Sequence, residues 1–133
     1  MASIRRQVNV SVAAETAWDA IRDIGALHTR LVKGFVTDCR MDGSDARIVT
    51  FANGIVAREL IVDINAGDRR LVWSAVGGRL SHHNASVQVF TEGEGRCRLV
   101  WIADLLPHEM APAIATMIDH GMAAMRRTLE GAA

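Results

Sequence analysis

Few side chains in this sequence are placed to do more than pack. His83 opens a row with Ala85, Val87 and Val89, and the row alternates with His82, Asn84, Ser86 and Gln88. Successive strand residues point to opposite faces, so His83, Ala85 and Val87 should point inward and His82 outward. An imidazole in an apolar volume can orient a ligand carbonyl or shuttle a proton. On another run, Phe35, Thr37, Cys39 and Met41 share a parity opposite Val36, Asp38, Arg40 and Asp42, which puts Thr37 and Cys39 on the inner face. Leu71, Trp73 and Ala75 oppose Arg70, Val72 and Ser74, and Trp73 becomes a pocket wall.

Glu59 is ambiguous. If Leu60, Val62 and Ile64 face inward, Glu59 faces out. A buried carboxylate needs a partner, and Arg58 cannot serve because strand neighbours diverge. Toward the end of the chain Val100, Ile102 and Asp104 alternate with Leu99, Trp101, Ala103 and Leu105. Both rows are apolar, so this strand is expected to be buried on both sides near its end, with Ile102 at the pocket. Asp104 either lines the same space or caps the last helix, and capping is the preferred reading. His120 reads as a flank residue beside the stripe that carries Met117 and Gly121.

Metal chemistry is not expected. His82 and His83 point apart, and the sequence holds no HExxH and no histidine–carboxylate cluster at helical spacing. No GxGxxG opens a helix, so no nucleotide cofactor is expected either. Cys39 and Cys97 form no CxxC and read as free, buried thiols.

The elements that must position these residues follow from the turns. Asp42-Gly43, Asn53-Gly54, Ala66-Gly67-Asp68, Gly77-Gly78 and Gly93-Glu94-Gly95 punctuate runs rich in Val, Ile, Phe, Trp and Thr. That pattern predicts a meander of antiparallel strands. The expected strands are 4–12, 35–42, 46–53, 55–65, 70–77, 83–91 and 96–106. The first alternates well: Ile4, Arg6, Val8, Val10 and Val12 against Arg5, Gln7, Asn9 and Ser11. Helical spacing over Ala14–Leu27 predicts an amphipathic helix with Glu15 in its first turn. Gly25 weakens its end, and a second short helix is expected near Ala26–Val32. A long helix is expected from about His108 to Glu130, with Met110, Ile114, Met117, Gly121, Met125 and Leu129 along one stripe.

The fold class is therefore α+β: one domain, in which a curved seven-stranded antiparallel sheet wraps a long C-terminal helix. One helix about 10 Å wide cannot fill so large a concave face. The leftover volume predicts an apolar cavity, and methionines on the helix would give it a pliable wall.

Composition agrees with a folded domain. Of 133 residues, 50% are hydrophobic, which argues against disorder. Basic and acidic residues balance at 15 each, leaving no global electrostatic footprint for nucleic acid. The N-terminal run alternates instead of forming an apolar leader, and no stretch approaches a membrane span. A soluble, cytoplasmic protein is expected.

Several motifs, in order, add a resemblance. They are Ala14-Glu15-Thr16-Ala17-Trp18-Asp19-Ala20-Ile21, Arg58-Glu59-Leu60-Ile61-Val62-Asp63, Arg69-Arg70-Leu71-Val72-Trp73-Ser74, His83 to Val89, Val100-Trp101 and Leu105-Leu106-Pro107. Their sequence resembles the START-like, or SRPBCC, superfamily across nearly the whole chain. That group includes polyketide cyclases and dehydratases, the birch-pollen allergens and the plant abscisic-acid receptors. The resemblance implies a helix-grip fold with a hydrophobic cavity. It also implies that Glu59 reaches the pocket, as the equivalent acid does in the abscisic-acid receptors. It does not imply one reaction, because the fold hosts binders, transporters and enzymes.

The expected function is binding of a small hydrophobic or amphipathic molecule, such as a lipid, polyketide or aromatic metabolite. The expected contacts are Thr37, Cys39, Glu59, Trp73, His83, Ala85, Val87, Ile102, Met117 and Gly121. A cyclase or dehydratase using the same cavity is the alternative, and a homodimeric interaction module is a third reading.

Overall fold

The computed structural model describes residues 1–131. Strand β1 (Ala2–Val10) leads to helix α1 (Ala14–Arg22), a 3₁₀ turn at Ile24–Ala26 and a π-helical turn at Leu27–Leu31. Then come β2 (Val36–Met41), β3 (Ala46–Phe51), β4 (Val56–Asn65), β5 (Arg70–Val76), β6 (His82–Thr91) and β7 (Cys97–Leu106). A 3₁₀ turn at His108–Met110 runs into α2 (Ala111–Gly131). The strands form one curved antiparallel sheet ordered β1-β7-β6-β5-β4-β3-β2. This is the α+β architecture that the alternation and turn spacing predict, and the helix-grip fold that the resemblance implies.

Hairpins join β2 through β7, so sequence neighbours are sheet neighbours. The β3–β4 turn depends on Gly54, whose φ of +89° is strained for any residue with a Cβ. β1 instead pairs with β7, from Ala2↔Leu105 to Val10↔Cys97. The segment from α1 to Leu31 therefore carries the chain across the end of the sheet to its opposite edge.

Helix α1 buries Ala14, Ala17, Trp18, Ala20 and Ile21. It ends sooner than its apolar spacing predicts, because the backbone leaves helical geometry at Asp23 (φ −82°, ψ 73°). That break turns the Ile24 carbonyl toward the sheet, where it accepts a hydrogen bond from Arg47.

The long helix α2 is unequally buried. Its second half packs Gly121, Met122, Ala124, Met125, Thr128 and Leu129 into the core. In its first half, Ile114 and Met117 are only half-buried. The sheet curves away from that half, and the space between them is not filled by side chains.

Two strand parities differ from simple alternation. A register shift between Val36 and Asp38 puts Val36 and Cys39 inside and leaves Thr37 exposed. A second shift between Ile61 and Asp63 lets Glu59 and Ile61 face inward while Val62 is exposed. A bulge inserts one residue and reverses parity beyond it. On β7, Leu99, Trp101, Ala103 and Leu105 are buried while Ile102 is 37% exposed on the outer face. Two-sided burial, expected near the end of this strand, stops at Val100.

Candidate functional site

The unfilled space is a cavity of about 740 Å³ between the inner faces of β3–β6, the first half of α2 and the Leu27–Val36 segment. Its walls are mostly apolar and include Leu31, Phe35, Phe51, Leu71, Trp73, Val87, Trp101, Ile114 and Met117. The rings brace one another. Trp73 meets Trp101 edge-on at 5.6 Å between centroids, and Phe35 meets Phe51 at 5.5 Å. Asn53 and Ile55 from the β3–β4 turn, Gly77 to Leu80 from the β5–β6 loop and His120 from α2 also border the cavity.

One transverse row interrupts the apolar lining. Arg47 on β3 lies directly across from Glu59 on β4, and Glu59 across from Ala75 on β5. Arg47 Nε donates to Glu59 Oε1 at 2.9 Å, and Nη1 donates to the Ile24 carbonyl at 3.2 Å. The guanidinium carbon lies 6.0 Å from the centroid of Trp73. Both charged residues are buried, Arg47 at 3% exposure and Glu59 at 7%. Two charges withdrawn from water are tolerable here because each is the other's partner. Glu59 Oε2 has no hydrogen-bond partner among the described residues, and the side chain borders the cavity.

His83 extends the row onto β6. Regular β5–β6 pairing ends at Trp73↔Ala85. Beyond it, the imidazole takes over from the backbone: the Ala75 N–H donates to His83 Nδ1 at 2.9 Å. The Ser74 hydroxyl donates to the His83 carbonyl. An Nδ1 that accepts carries no proton, so neutral His83 holds its proton on Nε2. Burial, followed by the charge of His82, moves the His83 pKa below its ordinary value. Its Nε2 has no partner among the described residues, and the ring borders the cavity. The wall thus combines an acceptor at Glu59 with a donor at His83.

Of the ten expected contact residues, Glu59, Trp73, His83, Val87 and Met117 line this cavity. Ala85 is on the inner face but covered, at 1% exposure. Cys39 is buried outside the cavity, with its thiol against the Ile24 carbonyl at 3.6 Å and its pKa raised by burial. Gly121 supports the floor from behind: a Cβ there would lie 2.7 Å from Trp101 Cζ3. Thr37 is a correction. The β2 bulge turns it to the surface, where its hydroxyl donates to the Thr50 carbonyl. Ile102 is the other, placed outside by the same alternation that buries Trp101 and Ala103.

Asp104 pairs in register with Ser3 and Asn84 on the outer row and is absent from the cavity wall. It does not cap the turn into α2, whose first residue follows Pro107 without a side-chain cap among the described residues. His120 borders the cavity as an exposed residue. Arg47 was not anticipated. Its signal was present, since Arg47 shares one strand parity with the apolar Val49 and Phe51.

The sheet order, the grip of α2 and the cavity beneath it agree with one sequence relationship. The chain belongs to the polyketide cyclase/dehydrase and lipid transport family. The match spans residues 1–130. No curated protein matches the sequence. Among solved structures, an uncharacterized protein from Bacillus thuringiensis is similar at 14% identity and a TM-score of 0.85, covering 96% of this chain and 98% of that one. A START superfamily protein from Mycobacterium smegmatis is similar at 13% identity and a TM-score of 0.75, covering 98% and 95%. Truncated norcoclaurine synthase from Thalictrum flavum is similar at 15% identity and a TM-score of 0.75, covering 95% and 91%. At such identities the likeness is one of fold. Family membership brings a ligand-binding fold, and the chemistry must be argued from the cavity. Among the described residues no helix is long and apolar enough to cross a membrane, and no three His, Cys, Asp or Glu side chains group to hold a metal.

Proposed function

We propose that this family member binds a small hydrophobic or amphipathic molecule, such as a lipid, polyketide or aromatic metabolite, between sheet and α2. The observation that carries this reading is the 740 Å³ cavity with aromatic and aliphatic walls, a buried polar row and a few exposed polar residues at its rim. Burial of apolar surface supplies the affinity, and His83 with Glu59 orients the ligand. The half-buried Met117 and Ile114 form the adaptable side. The buried free thiols of Cys39 and Cys97 support a reducing, cytoplasmic setting.

A second reading has one observation in its favour. Glu59 and His83, both titratable, border the same apolar volume, and acid–base catalysis of a cyclisation or dehydration needs such a pair. Norcoclaurine synthase, a synthase by name, shares the fold.

Two measurements test the binding reading. Native mass spectrometry of protein purified from cells is expected to show a co-purifying apolar molecule. Neutral N-phenylnaphthylamine is expected to brighten when titrated with the protein. Bare protein together with no brightening would overturn it. Replacing His83 by alanine separates the two readings. Binding alone predicts up to roughly tenfold weaker affinity. Catalysis predicts a rate loss of roughly two to four orders of magnitude at unchanged affinity.

A further inference from the structure

We propose that the cavity selects uncharged ligands carrying both a hydrogen-bond donor and an acceptor, and discriminates against carboxylates. The inference rests on the ligand-binding reading and adds the ligand's charge and polar pattern.

It follows from how the polar row is assembled. A buried arginine alone would make a carboxylate site, because its planar fork matches a carboxylate. Here Glu59 already occupies that role at 2.9 Å, from the facing position on the next strand. The pair is neutral as a unit. An anionic ligand would shed its hydration and arrive beside a carboxylate already in place. His83 cannot supply the missing positive charge cheaply. A proton on Nδ1 would face the Ala75 N–H that now donates to it, setting donor against donor. What remains for a ligand along the row is one acceptor, Glu59 Oε2, with donors at His83 Nε2–H and Arg47 Nη2, while Asn53, Arg79 and His120 stand at the exposed rim. The strands of Glu59 and His83 are separated by β5, but the imidazole reaches across to the Ala75 N–H, directly beside Glu59, so both groups face the same part of the cavity. A hydroxyl and a carbonyl carried on a rigid two-ring aromatic body can meet both groups. A fatty acid does not offer this pattern.

The test uses a matched pair of probes at neutral pH: an acetyl-naphthol, and the hydroxy-naphthoate in which a carboxylate replaces the acetyl group. Each competes with N-phenylnaphthylamine for the wild-type protein. The acetyl-naphthol is expected to displace it at a concentration lower by roughly tenfold or more, the least that an uncompensated buried charge should impose. In Glu59→Gln, which leaves the Arg47 charge unbalanced, the preference should vanish or reverse. Equal or better competition by the naphthoate in the wild type would overturn the selection while leaving the binding reading intact. So would binding of N-phenylnaphthylamine with no competition from either naphthalene. An unchanged preference in folded Glu59→Gln would also overturn it. Failure of the wild type to bind N-phenylnaphthylamine at all would instead remove the binding reading and this inference with it. Should Glu59→Gln not fold, the wild-type comparison decides the matter alone.

Discussion

Gly121→Ala pits helix propensity against packing, and the structure says which wins. Gly121 lies in the interior of α2, where alanine is intrinsically favoured by about 0.8–1 kcal/mol. The added Cβ would lie 2.7 Å from Trp101 Cζ3, 3.0 Å from Cη2 and 3.4 Å from Phe35 Cε2. The first distance is well inside van der Waals contact. Trp101 is a buried, rigid ring braced edge-on by Trp73 at 5.6 Å, so relief requires the helix to rise or the indole to tilt into the cavity. Overpacking of this kind costs about 1–3 kcal/mol. The net expectation is a destabilisation of about 1 kcal/mol, seen as a lower urea midpoint at unchanged slope. The displaced indole should also reduce cavity volume and weaken binding of N-phenylnaphthylamine. A variant more stable than wild type by the full helix-propensity increment would refute the reasoning, because it would mean that Trp101 yields at no cost.

Three further outcomes are expected. Because the folded His83 pKa is lowered, the unfolded chain binds more protons; stability is fully present above the unfolded value of about 6.5 and is lost as pH falls below it. Thermal melts of wild type and His83→Gln should diverge across that window, with the variant flatter, and parallel curves would exclude His83 as the cause. Glu59→Leu strands the buried Arg47 charge and should cost about 3–5 kcal/mol in denaturant titration, whereas Glu59→Gln should cost less because its amide oxygen still accepts; equal costs would show that this hydrogen bond contributes little. Trp73→Phe should reduce the ligand-induced change in tryptophan emission, and adding Trp101→Phe should remove most of the rest, since both rings line the cavity while Trp18 is buried on α1; a response as large as wild type in the double variant would place the ligand elsewhere.

Much of the architecture was legible in the residue order, because local rules produce it. Asn53-Gly54 and the other turn pairs separate alternating runs, and hairpins then set which strands adjoin. The single long amphipathic helix, too narrow for the sheet, implied the cavity. Parity put Trp73, His83 and Val87 at its wall, where they lie. Parity failed where a strand departs from regular alternation. The bulge beside Thr37 and the one beside Val62 each reverse which residues face inward, and one extra residue leaves no periodic trace in a short apolar run. Only the assembled sheet set Arg47 against Glu59 and ended α1 early enough to free the Ile24 carbonyl for that arginine. Only the end of β5–β6 pairing at Trp73 assigned the His83 proton to Nε2. Strand and helix arise from spacing along the chain, so sequence by itself determined them. The charge and hydrogen-bonding face of the cavity arise from contacts between residues 8 to 23 positions apart, whose register is set only when the strands pair.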